Sequence, residues 1–278
     1  MPFFTKLSGI LWVIKDVFLS QYIPAEINRT LLVLIPRTAN PTSFKMYHPI
    51  SLCTVAYKTI TKIITNRLQM IIPDLIGPHQ TSFVPGRHST ENIIVAQEII
   101  HSMRKKKWRQ GFMAIKVDLE KAYDRLSWNF IHDTLQELNL PIGLINLIMA
   151  CITTARMNVL WNGELTSEFN PCRGVRQGDP LSPYIFVLCI ERPSHGISRS
   201  IQQGLWKPIR LAKLGTPLSH LFFADDLLLL SEASRQQAGV INKVMEEFCV
   251  SSGAKVNKSK TLVYFSTNIS AMEASRIR

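Results

Sequence analysis

Two adjacent aspartates, Asp225 and Asp226, lie between two apolar runs in the segment HLFFADDLLLL, residues 220–230. Short apolar runs predict strands close to a core, where an unpaired negative charge carries a free-energy penalty. A hairpin turn at a sheet edge is one explanation, since aspartate is a common turn residue. The other is a divalent cation, because Mg²⁺ prefers hard oxygen ligands and two-metal phosphoryl transfer needs at least two carboxylates. This segment alone leaves both explanations open.

A third carboxylate, Asp118, ends a segment that alternates as a β-strand, FMAIKVD at residues 112–118. One face of this strand is expected to carry its apolar residues, Met113, Ile115 and Val117. If the strand pairs beside the Asp225–Asp226 hairpin, three carboxylates converge. The alternative is an acid favoured by the dipole of the following helix, a role that Glu120 or Asp124 could equally serve.

The segment CRGVRQGDPLSPYIF, residues 172–186, combines cations with turn residues. Arg173, Arg176 and Gln177 precede a Gly-Asp-Pro turn, and Ser182–Pro183 is typical of a capped helix start. Guanidinium groups and main-chain amides at such a place can hold phosphates or stack against a base pair. A plain loop-to-helix connection explains the same residues equally well.

The balance of charge points to a polyanionic partner. Lys and Arg total 32 against 20 Asp and Glu, which gives a formal net charge of +12. Such a field favours nucleic acid, while an anionic membrane or a surface kept basic for solubility would give the same balance. The five cysteines form no C-x-x-C pair, which argues against a zinc site and favours a reducing compartment. Because no apolar stretch is long enough for a signal peptide or a membrane anchor, we expect the nucleus or the cytoplasm.

The predicted elements alternate between helices and strands. A strand at 31–35 is followed by a helix at 51–75 stopped at Pro73, a loop at 77–89 and a further helix. That further helix should present Ile93, Ala96, Ile100 and Met103 on one face. Asn162–Gly163 predicts a hairpin, and Gly253 the end of the last helix. This order predicts an α+β fold, with helices packed on an antiparallel sheet.

Seven blocks in this order resemble the polymerase of plant non-LTR (LINE-type) retrotransposons, over roughly residues 25–265. They are HPISLC (48–53), NRL (66–68), HQTSFVPGR (79–87), KVDLEKAYDRLSW (116–128), RGVRQGDPLSPYIF (173–186), FADD (223–226) and SSGAKVNKSKT (251–261). The resemblance implies a right-hand polymerase fold with the thumb missing. It implies an N-terminal extension at 1–24, fingers at 25–111, a palm with the catalytic motifs at 112–268 and a truncated tail at 269–278.

The same resemblance implies a role for individual residues. Asp118, Asp225 and Asp226 would be catalytic and, with the main-chain carbonyl of Leu119, would bind two Mg²⁺ ions, for which Mn²⁺ is a substitute. Tyr123 would be the steric gate that excludes a ribose 2′-OH. The remaining assignments are nucleotide binding by Gln177, Gly178 and Lys260 (with Lys258 as competitor) and template or triphosphate contact by Arg87, Arg173 and Arg176.

The implied activity is RNA-directed DNA polymerisation. A primer 3′-OH attacks the α-phosphate of a dNTP on an RNA template, with no membrane partner. Two departures from the family pattern stand out: His48 in place of arginine, and Pro193, which predicts a broken, kinked or shortened helix. Because the chain ends before a thumb, we expect weak or no processive synthesis.

Other functions fit parts of the pattern. A degenerate, inactive copy that at most binds nucleic acid agrees with His48, Pro193 and the short chain. An RNA-dependent RNA polymerase shares the palm, but Tyr123 argues against it. A maturase-like intron protein shares the fold and is disfavoured only because the residues of the seven blocks resemble those of LINE-type elements.

Overall fold

Helices and strands follow one another in mixed order, as predicted for an α+β protein. The computed structural model describes residues 2–105, 110–211 and 215–277, with side chains from residue 9 onward. The helices and strands are α1 (Pro2–Ser20), β1 (Arg29–Pro36), a 3₁₀ turn (Phe44–Met46), β2 (Tyr47–Cys53), α2 (Val55–Leu75), α3 (Ser89–Lys105), β3 (Phe112–Asp118), α4 (Ala122–Arg125), α5 (Trp128–Glu137), α6 (Ile142–Thr153), β4 (Arg156–Trp161), β5 (Glu164–Leu165), α7 (Ser182–Gln202), β6 (His220–Phe223), β7 (Asp226–Glu232), α8 (Arg235–Ser252), β8 (Leu262–Phe265) and α9 (Ala271–Ile277).

The chain forms two units, each built from two separate stretches of sequence. The first comprises Met1–Ile71 and Leu126–Phe186, and the second comprises Ile72–Arg125 and Val187–Arg278. These limits differ from the contiguous fingers and palm ranges, which stay a prediction.

The first unit contains a mixed four-stranded sheet in the order β2-β1-β4-β5, in which β1 pairs antiparallel with β2 and parallel with β4. The hairpin between β4 and β5 turns at Asn162 and Gly163, both with positive φ, as the Asn-Gly signal predicts. The predicted helix at 51–75 is wrong at its start, because β2 occupies residues up to Cys53 and the helix begins at Val55. Pro49 is tolerated because β2 lies at the edge of the sheet.

The second unit contains a fully antiparallel sheet in the order β6-β7-β3-β8. In its central strand β3, Met113 and Ala114 are both buried although they point to opposite faces, so the predicted one-sided alternation is incomplete. One face packs against α3 in a core formed by Ile99, Met103, Phe112, Ala114, Ile209, Leu221 and Leu230. Ile93 was predicted to lie on the buried face of α3 and is instead 52% exposed.

Several predicted helix boundaries are wrong for identifiable reasons. α2 continues two residues past Pro73, and α7 continues through Pro193 to Gln202, so neither proline ends its helix. The Ser182 hydroxyl is buried and has no hydrogen-bond partner within the described residues, so it does not cap α7. The Asp179 side chain instead accepts a hydrogen bond from Leu181 N at 3.3 Å.

The last long helix follows the sequence prediction. α8 buries Ile241, Val244, Met245 and Phe248, and it ends at Gly253 in the left-handed conformation. Across the described parts of the chain, no helix has both the length and the apolar character that a bilayer crossing requires.

Candidate active site

The register of one strand pair brings the predicted carboxylates together in the second unit. β3 and β7 are antiparallel, and Asp118 lies directly opposite Asp226. β6 and β7 form a tight hairpin in which Phe223 pairs with Asp226, leaving Ala224 and Asp225 as the turn. Ala224 has a φ of 50°, the left-handed conformation that such a turn requires. The two aspartates therefore lie at a hairpin turn, and strand pairing brings Asp118 beside them, while cation binding at this place stays a prediction.

Asp225 lies in an environment that disfavours its negative charge. Burial raises the pKa of its carboxyl above the usual value, and the negative charges of Asp226 and Asp118 raise it further. Its own backbone hydrogen bond and the positive charge of Lys116 oppose this rise. Because the negative charges of Asp118 and Asp226 disfavour the ionisation of Asp225, a cation placed beside Asp225 would stabilise its carboxylate form.

Asp226 already has a cationic partner. Lys116 Nζ lies 3.0 Å from Asp226 Oδ1, and the two side chains are 54% and 57% exposed. Within residues 2–105, 110–211 and 215–277, no three His, Cys, Asp or Glu side chains stand close enough to hold a metal ion as they lie. The strand register thus brings Asp118 and Asp226 together, while the Asp226 carboxylate forms its ion pair with Lys116.

The main-chain carbonyl of Leu119 suits its expected role. An isolated antiparallel bridge joins Leu119 to Val256. Its hydrogen bonds run from Glu120 N to Lys255 O and from Asn257 N to Asp118 O, both at 2.8 Å. These bonds flank Leu119 and do not use its own carbonyl. Three carboxylates and one carbonyl are hard oxygen donors, which is the type of ligand that Mg²⁺ prefers.

Comparison with known proteins decides the family. The family model described as "Reverse transcriptase (RNA-dependent DNA polymerase)" matches residues 38–272. The chain belongs to the reverse transcriptase family.

Relatives of this reverse transcriptase chain come from mobile elements. It is 28% identical over 251 residues to "Transposon TX1 uncharacterized 149 kDa protein" of Xenopus laevis, covering 90% of this chain and 18% of the relative. It is 29% identical over 255 residues to "Retrovirus-related Pol polyprotein from type-2 retrotransposable element R2DM" of Drosophila melanogaster, covering 91% and 23%. The chain therefore spans about a fifth of the length of these curated relatives.

One further relative is short. A 65-residue stretch is 46% identical to "Uncharacterized mitochondrial protein AtMg01250" of Arabidopsis thaliana, covering 23% of this chain and 53% of the relative. Among solved structures, telomerase from Candida tropicalis in complex with a fragment of telomeric RNA has a TM-score of 0.58 at 15% identity. That match covers 95% of this chain and 45% of the telomerase chain, and it shows the polymerase fold.

Tyr123 of this reverse transcriptase chain lies within electrostatic reach of Asp225. It belongs to the short helix α4, which follows β3 after three residues. Burial raises the pKa of its phenol to about 12, and the negative charge of Asp225 adds to the rise. The phenol is therefore neutral at physiological pH and close enough to Asp225 to sense its charge.

The exposed lysines Lys258 and Lys260 lie on a turn tied to Asp118. Lys260 N and Thr261 N both donate to Asn257 O, at 3.2 and 2.9 Å. Asp118 N in turn donates to Thr261 Oγ1 at 3.4 Å. This places the turn next to the end of β3 but does not distinguish one lysine from the other.

Sequence reasoning missed Gln80, which braces the aspartate turn. Its side chain is 1% exposed, and Oε1 accepts hydrogen bonds from Ser82 N at 2.9 Å and Ala224 N at 3.3 Å. Main-chain bonds join the same loop to β6, from Phe222 N to His79 O and from Thr81 N to Phe222 O. The local sequence around Gln80 does not indicate that it supports the aspartate turn, because its hydrogen-bond partner Ala224 lies 144 positions away in the chain.

Arg87 holds the same loop together. Its guanidinium donates to the main-chain carbonyls of Ile76 at 2.7 Å, Gln80 at 2.8 Å and Pro73 at 3.3 Å, and also to that of Gly77. Template or triphosphate contact was expected of this residue. The geometry favours a structural role, since four carbonyls already take up four of the five N–H donors of its guanidinium.

Arg176 is also committed internally, within the first unit. It is 5% exposed, and its guanidinium donates to Asn28 Oδ1 at 2.7 Å, Thr30 Oγ1 at 2.9 Å and Cys151 O at 2.5 Å. The group also lies 4.0 Å from the centre of the Tyr57 ring. These contacts favour a structural role over the expected template contact, whereas Arg173 is exposed.

The neighbouring Gln177 and Gly178 are tied to β2 of the first unit. Ser51 N donates to Gln177 O at 2.9 Å. Gly178 has a φ of 97°, and a Cβ there would lie 3.2 Å from Ser51 O. Gln177 Oε1 is buried and, among the residues described, has no hydrogen-bond partner. An unpaired buried acceptor of this kind could take a hydrogen bond from a bound ligand.

Proposed function

We propose that this chain is the polymerase segment of a non-LTR (LINE-type) retrotransposon reverse transcriptase, and that it adds dNTPs to a primer 3′-OH on an RNA template. The observation that carries the proposal is the pairing of Asp118 with Asp226 beside Asp225, within the span that matches the family model. The relatives named as transposon proteins support the element type.

In this proposal Asp118, Asp225, Asp226 and the Leu119 carbonyl hold two divalent cations. Mg²⁺, or Mn²⁺ in its place, would supply activation of the 3′-OH and neutralisation of the pyrophosphate leaving group. The carboxylates would hold these cations in place, and strand pairing holds Asp118 opposite Asp226. Lys260, or Lys258 beside it, would donate a proton to the leaving group.

Tyr123 would select the sugar. The neutral phenol ring, close enough to Asp225 to sense its charge, would occupy the space that a ribose 2′-OH needs, so that a deoxyribose is accepted. Gln177 and Gly178 would line the base pair that is being formed, with the Gln177 amide as a hydrogen-bonding group.

The RNA template would bind through positive charge. The net charge of +12 and the exposed Arg173 support this partner, as does the likeness to a telomerase described with bound RNA. The short Arabidopsis relative agrees with an element of plant origin.

Primer extension tests the proposal. The purified chain is given a primed RNA template with Mg²⁺ and either dNTPs or NTPs, and we expect extension by dNTPs only. Asp225→Asn and Asp226→Asn should each abolish it, while Glu246→Gln, an exposed carboxylate on α8, should not. Activity that survives in both aspartate variants contradicts the site. If no extension occurs but RNA binds in a salt-sensitive way, the chain is an inactive copy that retains only binding.

A further inference from the structure

Lys116 shares a face of the sheet with the carboxylates. It precedes Asp118 by two residues on β3, so both side chains point to the same side of the strand. Asp118 lies opposite Asp226, and Lys116 lies opposite Leu228, so Lys116 reaches Asp226 diagonally across the ladder. The result is the 3.0 Å ion pair between Lys116 Nζ and Asp226 Oδ1.

This ion pair puts a fixed positive charge where the proposed function requires a divalent cation. The lysine ammonium and a metal ion would compete for the same carboxylate, and each would repel the other. Both side chains are more than half exposed, so the pair is weak and a metal ion can displace it.

We propose that Lys116 is an intrinsic competitor of the metal ion: it holds the Asp226 carboxylate when no metal is bound, and it raises the metal concentration at which the site fills. This inference rests on the proposed function, because it takes the aspartates to be the metal ligands. Lys116 is thus a positioning residue that acts through Asp226.

The expected effect is large enough to measure. A single positive charge a few ångströms from a divalent ion in a water-like medium weakens binding on the order of tenfold. Removing the charge while keeping the aliphatic side chain should therefore tighten metal binding by about that factor.

Binding of Mn²⁺ to the purified chain, without nucleic acid or nucleotide, tests this. Free Mn²⁺ is followed by electron paramagnetic resonance for the wild type, Lys116→Met and Lys116→Arg. Lys116→Met should bind Mn²⁺ about tenfold more tightly. Lys116→Arg retains the charge and should bind no more tightly than the wild type. Equal or weaker binding by Lys116→Met overturns the inference.

Lys207 provides a matched control. It is 55% exposed and pairs with Glu232 at 3.5 Å, at the opposite end of β7 from Asp226. Six residues of strand place that pair about 20 Å away from Asp226. Lys207→Met should leave Mn²⁺ affinity unchanged, and tightening equal to that of Lys116→Met would mean a general effect of net charge, which overturns a specific role.

Aspartate variants separate this inference from the proposed function. If Asp225→Asn leaves Mn²⁺ binding at wild-type strength, the metal site itself is wrong. If Asp225→Asn abolishes binding but Lys116→Met changes nothing, the site stands and only the role of Lys116 fails. In an Asp226→Asn background, Lys116→Met should tighten Mn²⁺ binding by a smaller factor, because the carboxylate for which Lys116 and the metal ion compete is gone. An equally large increase in Mn²⁺ affinity in that background also contradicts the inference.

Discussion

The side-chain oxygen of Gln80 accepts a hydrogen bond from Ala224 N, the residue that precedes Asp225 in the turn. Replacing Gln80 with Leu leaves two buried main-chain donors, Ala224 N and Ser82 N, without this acceptor. We expect the free energy of unfolding to fall by about 2 kcal/mol. Urea denaturation measures it, with Gln203→Leu, at an exposed position just after α7, as control. Equal stability of the two variants contradicts the bracing role.

Arg87 and Arg173 should differ in what they contribute. Arg87→Met removes the donor to four main-chain carbonyls, so stability should fall by about 2 kcal/mol and protease cleavage in residues 77–89 should accelerate. Arg173→Met, on an exposed side chain, should leave stability unchanged and weaken RNA binding. The reverse pattern, with Arg87→Met fully stable but defective in RNA binding, would restore the contact first expected of it.

Arg87 and Arg176 show what the local sequence could not predict. The motifs that contain Arg87 and Arg176 were recognisable from the sequence. The sequence does not show, however, whether an arginine binds main-chain carbonyls of its own chain or the phosphate of a ligand. The difference depends on burial, which arises from residues as distant as Asn28, 148 positions from Arg176. Strand β2 escaped prediction for the same reason, since its pairing with β1 is not visible in its own composition.

The aspartate site was better specified by its local pattern. Alternation in residues 112–118 predicted β3, and the apolar runs beside Asp225 predicted the β6–β7 hairpin. Whether the two would pair could not be read from either segment, because 107 residues separate Asp118 from Asp225. The resemblance to a family suggested it, and the register of β3 with β7 places Asp118 opposite Asp226.

Metal-free stability should depend on pH through Asp225. Burial and two neighbouring negative charges raise the pKa of its carboxyl in the folded chain. A carboxyl with a raised folded pKa contributes most below its unfolded pKa, and that contribution is lost as pH rises through the folded pKa. Asparagine does not ionise, so Asp225→Asn does not lose this stability as the pH rises. The variant should therefore have a higher Tm than the wild type at pH 7 when a chelator is present.

Added Mg²⁺ should reverse the order of those two proteins. An ion that binds only the folded state stabilises it by about 2.7 kcal/mol at one hundred times its Kd. The wild type should gain this and Asp225→Asn should not. Differential scanning calorimetry of the two proteins with and without Mg²⁺ measures the change in Tm. An equal increase in Tm for the wild type and Asp225→Asn contradicts metal binding by Asp225.

Tyr123 should control the choice between dNTPs and NTPs. Shortening the side chain in Tyr123→Val opens the space beside Asp225, so discrimination against NTPs should fall on the order of tenfold to a hundredfold. Tyr123→Phe keeps the ring and should keep the discrimination. Single-nucleotide incorporation kinetics give kcat/KM for each substrate, and loss of discrimination in Tyr123→Phe would point to the hydroxyl instead of the ring.

Gly178 and Gly86 separate steric contact from backbone strain. Both have positive φ, 97° and 79°, so alanine at either position meets a similar conformational penalty. A Cβ at Gly178 also lies 3.2 Å from Ser51 O, whereas nothing lies within 4 Å of one at Gly86. Gly178→Ala should therefore lower the free energy of unfolding by about 1 kcal/mol more than Gly86→Ala does. Chemical denaturation of the two variants decides it. If both lose the same stability, the main chain at Ser51 yields to the new methyl group, and glycine at position 178 is required only for its φ.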